Sequence, residues 1–312
     1  MQYVDVNKMS EAAALLRCGK LVAFPTETVY GLGGNALMDD AVAAIYEAKG
    51  RPSFNPLIVH VPDVSEAEKY ILLNDKARKL AKAFWPGPLT LVLPRRSDCT
   101  LSLLVSAGLD SVAMRVPAHT VALELLQEAG VPLAAPSANR SGRISPTQAS
   151  HVEEELQGKV DMIMDGGACK VGVESTVVDV TEAVPVILRH GAITQEMLQA
   201  EVGEVRVASA GSAIKSPGMM EKHYAPDAKL RINARSVDAD EALLAFGAPL
   251  KGAAAMENLS DTCDMKEAAA NLFRMLRILD ASGAKKIAVM PIPEDGLGVA
   301  INDRLRRAAT GS

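Results

Sequence analysis

The stretch KLVAFPTETVYGLGG, residues 20–34, sets a short apolar run against hydroxyls, one carboxylate and three glycines. Lys20–Pro25 predicts a buried strand that ends in a proline-marked turn. Thr26, Glu27 and Thr28 then fall at a strand end. Gly31, Gly33 and Gly34 predict a turn in which backbone N–H groups approach a ligand closely. No G-x-x-x-x-G-K-[ST] follows, so this is not a P-loop.

Outward from this stretch, helical and strand patterns alternate. Ser10 reads as the cap of a helix running to Gly19. Asp39–Lys49 reads as a helix, with acids at its positive end and Lys49 at its negative end. Asn74–Phe84 reads as another, stopped by Pro86-Gly87-Pro88. Strands are expected at Leu57–Val61, Leu89–Leu93, Ser111–Val116, Val131–Ala135, Asp161–Met164, Ser175–Val180 and Val184–Leu188. Ser145-Pro146 reads as a helix start. The pattern is α/β, in a domain of about 200 residues.

Composition shifts after Val207. Ala208–Lys222 is small, polar and Gly/Pro-containing, as linkers are. Beyond it the expected order is strand Leu230–Asn233, helix Asp238–Phe246, amphipathic helix Met265–Asp280, strand Ile287–Met290 and helix Val299–Ala309. This is a β-α-β-α pattern of a small Rossmann-like module. Gly296-Leu297-Gly298 alone is too short a signal for a dinucleotide site. The predicted organisation is 1–207, a linker at 208–228, and 229–312.

The chain has 312 residues, 33 Lys+Arg against 38 Asp+Glu, and 48% apolar residues. That composition excludes disorder, and the net charge of −5 excludes a wholly basic nucleic-acid binder. The four cysteines are widely spaced and form no C-x-x-C pair, which argues against disulfide and zinc frameworks. No apolar stretch approaches the ~20 residues of a membrane span. The N-terminal residues lack an apolar leader, and a cytoplasmic protein is expected.

Polar residues gather at predicted strand ends. Lys49, Arg51 and Asn55 lie in a loop stiffened by Pro52 and Pro56, a grouping suited to phosphate oxygens. A solvated helix end is the plainer alternative. His60 alternates with Val59 and Val61. Arg115 interrupts an apolar strand, so it needs a partner, either a structural carboxylate or a ligand's. Ser137 and Asn139 follow another strand, as ligand-binding groups commonly do. Neither a nucleophile elbow nor H-E-x-x-H is present. Positioning and charge neutralisation, as in phosphoryl or nucleotidyl transfer, fit better than covalent hydrolysis.

Together PTETVYGLG, KGRP-x-x-NPL, AMRVP, APSANRSG and STVVD resemble the YrdC-like threonylcarbamoyl-AMP synthases. Ser216-Pro217-Gly218-Met219, His223-Tyr224-Ala225-Pro226, NLS at Asn258 and GLGVAINDRLRRAA at Gly296–Ala309 resemble the long form with a C-terminal domain. The resemblance implies a YrdC-like twisted mixed sheet, helices around a concave basic cavity, and a linker folding over it as a lid. It implies condensation of L-threonine, bicarbonate and ATP into threonylcarbamoyl-AMP and pyrophosphate, with Mg²⁺ accompanying the ATP. A partner transferase complex would pass the group to tRNA, and a weak tRNA contact is allowed.

Carried over by motif, Thr28, His60, Arg115, Ser175 and the backbone near Ala135 would hold threonine. Arg51, Asn55, Ser111, Ser137, Ser145 and Arg189 would surround the ATP, joined by His223 or Tyr224 from the linker. Lys49 and Arg51 would offset charge on the phosphates; no metal-ligand set is implied. Two other readings use the same cations. One is a non-catalytic module for double-stranded RNA or tRNA. The other is a carbamoyl-transfer enzyme of hydrogenase maturation, whose zinc-finger cysteines this chain lacks. If the linker is a lid, cutting near Lys215 should abolish or greatly weaken threonine-dependent pyrophosphate release; full activity in the N-terminal piece would contradict it.

Overall fold

Gly31–Asn35 is a strand rather than a turn, and its packing explains its glycines. A Cβ on Gly33 would lie 2.8 Å from the Phe24 ring and 3.1 Å from the Val22 carbonyl oxygen. One on Gly34 would lie 3.0 Å from Ile45. The glycines therefore let a strand and a helix cross it at close range.

The computed structural model describes residues 2–5, 8–209, 216 and 223–312. The chain begins with β1 (Gln2–Asp5), α1 (Met9–Arg17), β2 (Val22–Phe24), β3 (Gly31–Asn35) and α2 (Asp39–Lys49). Next come β4 (Ile58–His60), α3 (Val64–Ala67), α4 (Asp75–Phe84), β5 (Leu89–Pro94) and β6 (Ser111–Arg115). Then follow α5 (Thr120–Ala129), β7 (Leu133–Ala134), α6 (Ala149–Leu156) and β8 (Met162–Asp165). β9 (Thr176–Asp179), β10 (Val186–Arg189), α7 (Gln195–Val202) and β11 (Arg206–Val207) close the first unit. The second holds β12 (Lys229–Arg231), β13 (Ala242–Ala245), β14 (Ala255–Asn258), α8 (Met265–Ala281), β15 (Lys286–Val289) and α9 (Leu297–Gly311).

The first unit is one mixed sheet of eleven described strands, in the order β1-β8-β2-β3-β7-β4-β6-β5-β9-β10-β11. β4 and β6 run parallel, with His60 opposite Arg115, and β7 runs antiparallel beside β4. Paired residues on neighbouring strands point to the same face, so His60 and Arg115 share one face of the sheet's interior. β5 runs parallel to β9, pairing Leu89 with Thr176. The second unit is a four-stranded parallel sheet, β12-β15-β13-β14.

Local chemistry sets the helix ends. Asn74 accepts from the Ala77 N–H at 2.9 Å to start α4, and Asp264 accepts from Lys266 and Glu267 N–H to start α8. Gly50 ends α2 in the left-handed region at φ 59°, which only a residue without Cβ strain takes readily, and turns the chain so that Arg51 faces inward.

Several expectations need correction. Ser10 lies inside α1 behind Lys8, and its hydroxyl donates to Glu128 instead of capping. No helix starts at Ser145-Pro146; α6 begins at Ala149, because the Ser145 hydroxyl is spent on Glu174. Asp238–Phe246 is not a helix but contains the strand β13. Ala242, Leu243, Leu244 and Ala245 are all 0% exposed, and a strand covered on both faces shows no alternation to distinguish it from a buried helix. β1, β3, α3, α5, α7, β11 and β14 were not anticipated. Most of the expected linker Ala208–Lys222 lies outside the described residues.

A principal core fills the space beside the large sheet, from Tyr30 and Ile45 to Leu91 and Leu198. A second core joins the two units, with Val29, Ile144 and Val173 of the first packed among Leu272, Phe273 and Ile301 of the second. Replacing Gly33 with Ala should cost about 1–3 kcal/mol, since Phe24 and the Val22 carbonyl must both give way. Urea unfolding of the full chain measures this, and an unchanged midpoint would contradict the packing account.

Candidate functional site

Thr26 organises the first wall. Its hydroxyl donates to the Val29 carbonyl at 2.6 Å and accepts from the Thr28 and Val29 N–H groups. The resulting hydroxyl-pinned turn presents Thr28 to Arg115, whose Nη1 donates to the Thr28 Oγ1 at 3.0 Å. Arg115 Nη2 reaches Glu27 Oε1 at 2.6 Å, and its Nε donates to the Gly87 carbonyl at 3.2 Å. The partner demanded by an arginine in an apolar strand is thus a carboxylate of the chain's own. Three of the five guanidinium N–H groups are used in these bonds, leaving two for a ligand. Glu27 Oε2 is buried and has no hydrogen-bond partner among the described residues.

Further cations line the same hollow. Arg51 donates to the Asn55 and Pro56 carbonyls, and Arg189 at the end of β10 donates to the Ser175 carbonyl and hydroxyl. Ser175 in turn bonds Thr90 at 2.8 Å. Burial lowers both guanidinium groups, Arg51 to about 10, yet each stays charged at neutral pH. Glu174 completes this side. Burial alone would raise its carboxyl, but Arg304, Arg189 and the Ser145 hydroxyl hold it down to about 2.

These groups line one hollow, of about 510 Å³ including open solvent. Of the anticipated residues, Thr28, Arg51, His60, Arg115, Ala135, Ser137, Ser175, Arg189 and His223 border it. Four others stand immediately behind. Lys49 donates to the Ser137 and Asn139 carbonyls and so shapes the loop after β7. The Asn55 carbonyl orients Arg51, Ser145 holds Glu174, and Tyr224 packs against His223 at 3.9 Å between ring centres. Between the two linker candidates, His223 borders the hollow and Tyr224 backs it. Ser111 is not brought there: it pairs with Pro94 at the far end of β6, about 13 Å along the strand from Arg115.

Glu174 and Thr26 also border the hollow, though neither was singled out as a site residue. Both stand beside residues that were, in PTET and EST. Burial and Arg115 lower His60 to about 3; burial and the neighbouring cations do the same to His223, despite Glu174. Both imidazoles are neutral at pH 7. Cys169, buried and pushed up to about 12, offers no thiolate. The arrangement can bind anions and a small polar molecule side by side, without a covalent nucleophile.

A pH effect on stability follows. Unfolded, His60 takes its proton near pH 6.5; folded, only near 3. In that window the unfolded state binds more protons, so stability falls as pH falls, by about 1.4 kcal/mol per pH unit at most for this residue. His60→Gln should flatten the slope of unfolding free energy between pH 7 and 5. An identical slope would contradict a neutral buried His60.

Residues 14–191 match the Sua5/YciO/YrdC family model, whose description reads Telomere recombination. Residues 193–310 match the model described as the threonylcarbamoyl-AMP synthase C-terminal domain. The chain is 43% identical to a threonylcarbamoyl-AMP synthase of Pyrococcus abyssi, over 98% of this chain and 95% of that one. It is 44% identical to a Bacillus subtilis protein of the same name, over 97% and 93%. The crystal structure of P. abyssi Sua5 complexed with L-threonine superposes with a TM-score of 0.92 at 40% identity, covering 100% of this chain and 98% of that chain. With both models matched and this fold shared end to end, the chain belongs to the Sua5/YciO/YrdC family, in its long form with the synthase C-terminal domain.

Proposed function

We propose that this protein is an L-threonylcarbamoyladenylate synthase, forming threonylcarbamoyl-AMP and pyrophosphate from L-threonine, bicarbonate and ATP. The observation that carries this is a single hollow bordered by Arg51, Arg115 and Arg189 together with Thr28 and Ser175. It occurs in a chain whose relatives bear that name and whose fold matches a threonine complex.

In this reading the two remaining N–H groups of Arg115 fork the threonine carboxylate. Thr28 and His60 face the ammonium and hydroxyl region, and Ser175 with the Ala135 backbone closes that pocket. Arg51, Arg189, Ser137 and His223 take the nucleotide, with Asn55, Ser145, Lys49 and Tyr224 supporting them from behind. The threonine amine attacks bicarbonate-derived CO₂ and loses a proton, giving an N-carboxylate. A carboxylate oxygen attacks the α-phosphorus, the bond to the β-phosphate oxygen breaks, and pyrophosphate leaves. Arg51 and Arg189 offset the charge that grows on the leaving group. No residue of the chain becomes covalently attached.

Among the described residues no cluster of three His, Cys, Asp or Glu side chains could hold a metal ion. Glu27 and Glu174, the carboxylates nearest the hollow, are both engaged by arginines. Mg²⁺ is proposed to enter as part of the ATP substrate, held largely through the phosphates. Serine differs from threonine by one methyl, so discrimination against it should be modest, ~1–3 kcal/mol. The module for double-stranded RNA is disfavoured because Arg51, Arg115 and Arg189 are each under 9% exposed, out of a duplex's reach.

The proposal extends to a catalytic part at 1–207, a linker and lid at 208–228 and a C-terminal part at 229–312. It also includes a cytoplasmic setting, a weak contact with tRNA and a downstream transferase complex that consumes the adenylate. No described helix is long and apolar enough to cross a membrane. Arg51→Ala should cut threonine- and bicarbonate-dependent pyrophosphate release at least 100-fold. An unchanged circular dichroism spectrum would show the fold intact, and unchanged turnover would remove Arg51 from the site.

A further inference from the structure

Glu27 stands between two residues that border the hollow, Thr26 and Thr28. It is 6% exposed, and Arg115, which borders the hollow too, is 4% exposed. The backbone around it is pinned: the Val171 N–H donates to the Glu27 carbonyl at 2.7 Å, and the Thr26 hydroxyl accepts from the Thr28 N–H. Its Oε1 accepts from Arg115 Nη2 at 2.6 Å. Arg115 otherwise bonds the Thr28 hydroxyl and the Gly87 carbonyl, both neutral, so among the described residues Glu27 is its one ion-pair partner.

This carboxylate is only half used. Glu27 Oε2 is buried and has no hydrogen-bond partner among the described residues, whereas both oxygens of Glu174 are taken, one by Ser145 and one by Arg304. A buried carboxylate serving packing alone is expected to have both oxygens bonded. His60, opposite Arg115 in register, adds no charge, because burial and Arg115 keep it neutral. The Glu27–Arg115 pair therefore sums to zero. A ligand carboxylate forked by the two remaining N–H groups of Arg115 meets a compensated cation, and a ligand that also brings a positive charge leaves the buried group neutral. A carboxylate without an ammonium puts a second negative charge near Glu27 with nothing to offset it. With Arg51 and Arg189 bordering the same hollow, an Arg115 without Glu27 would make this end one more anion site.

We infer that Glu27 is a specificity-determining positioning residue: acting through Arg115, it reserves the amino-acid side for a zwitterion and turns away small carboxylates that lack an ammonium group. The inference rests on the synthase reading above and names the charge class that its amino-acid pocket selects. In that reading the threonine nitrogen is the reacting atom, so a hydroxy acid seated there would block the site without turnover.

The test measures binding to the full chain by titration calorimetry, with L-threonine and with (R)-3-hydroxybutyrate, which is threonine without its amino group. The readout is the ratio of the second Kd to the first. Glu27→Gln keeps the shape and an oxygen acceptor for Arg115 Nη2 but removes the charge, and should narrow the ratio at least fivefold; a smaller change overturns the inference. Glu27→Asp keeps the charge but shortens the side chain, and should narrow the ratio less than fivefold. A packing role would weaken both ligands in parallel and would tolerate Gln better than Asp; a ratio narrowed fivefold or more by Asp overturns the inference. Should Glu27→Gln not fold, as circular dichroism would show, the wild-type ratio decides: at least tenfold in favour of threonine supports the inference, and a smaller ratio overturns it. Wild-type protein that binds no threonine would contradict the synthase reading itself, a result separable from every outcome above.

Discussion

Arg51, Arg115 and Arg189 converge on one hollow although each is almost fully buried, and such cations stand together only if each is compensated. The manner of compensation differs between the two sides. Arg115 is matched by the Glu27 carboxylate, so its neighbourhood is close to neutral and offers both signs of charge. Arg51 donates to two backbone carbonyls, dipoles that orient a cation without cancelling it. A zwitterion suits the first side and a polyanion the second. The proposed division into an amino-acid pocket and a phosphate pocket rests on that asymmetry.

The rest of the fold serves this placement. Parallel β4 and β6 set His60 beside Arg115, and β10 delivers Arg189 at its end. The loop after β7 is drawn in by Lys49, whose pKa burial and the nearby Arg51 lower and Glu155 and Glu174 partly restore. The second unit is not an appendage. Its helices share a core with Val29, Ile144 and Val173, and the Cβ that Gly172 lacks would fall 2.4 Å from the Ala269 carbonyl oxygen of α8. Breaking a buried pair such as Arg304–Glu174 typically costs about 3–5 kcal/mol, so the two units are coupled in stability.

Much of this was legible in residue order. Asp39–Lys49 emerges as a helix with the expected bounds, because charged ends and a following glycine mark both of its termini. Arg115 announced a need for a partner, since an arginine in Val112-Ala113-Met114 cannot stand alone. Two kinds of information were not local. β13 was misread because Ala-Leu-Leu-Ala carries no period, and only its place between β14 and β15 makes it a strand. Arg304 sits among several arginines of α9 and meets Glu174 across a separation of 130 residues, which no local motif records. Ser111 shows the converse, a residue on the correct strand but at its wrong end.

The account depends on one hollow serving both substrates. A crystal structure of the full chain with L-threonine and a non-hydrolysable ATP analogue measures that directly. It should place the threonine carboxylate within hydrogen-bond distance of Arg115 and the analogue's phosphates on Arg51 and Arg189. Either ligand bound outside the hollow, or phosphates on Arg115 with the amino acid elsewhere, would contradict it.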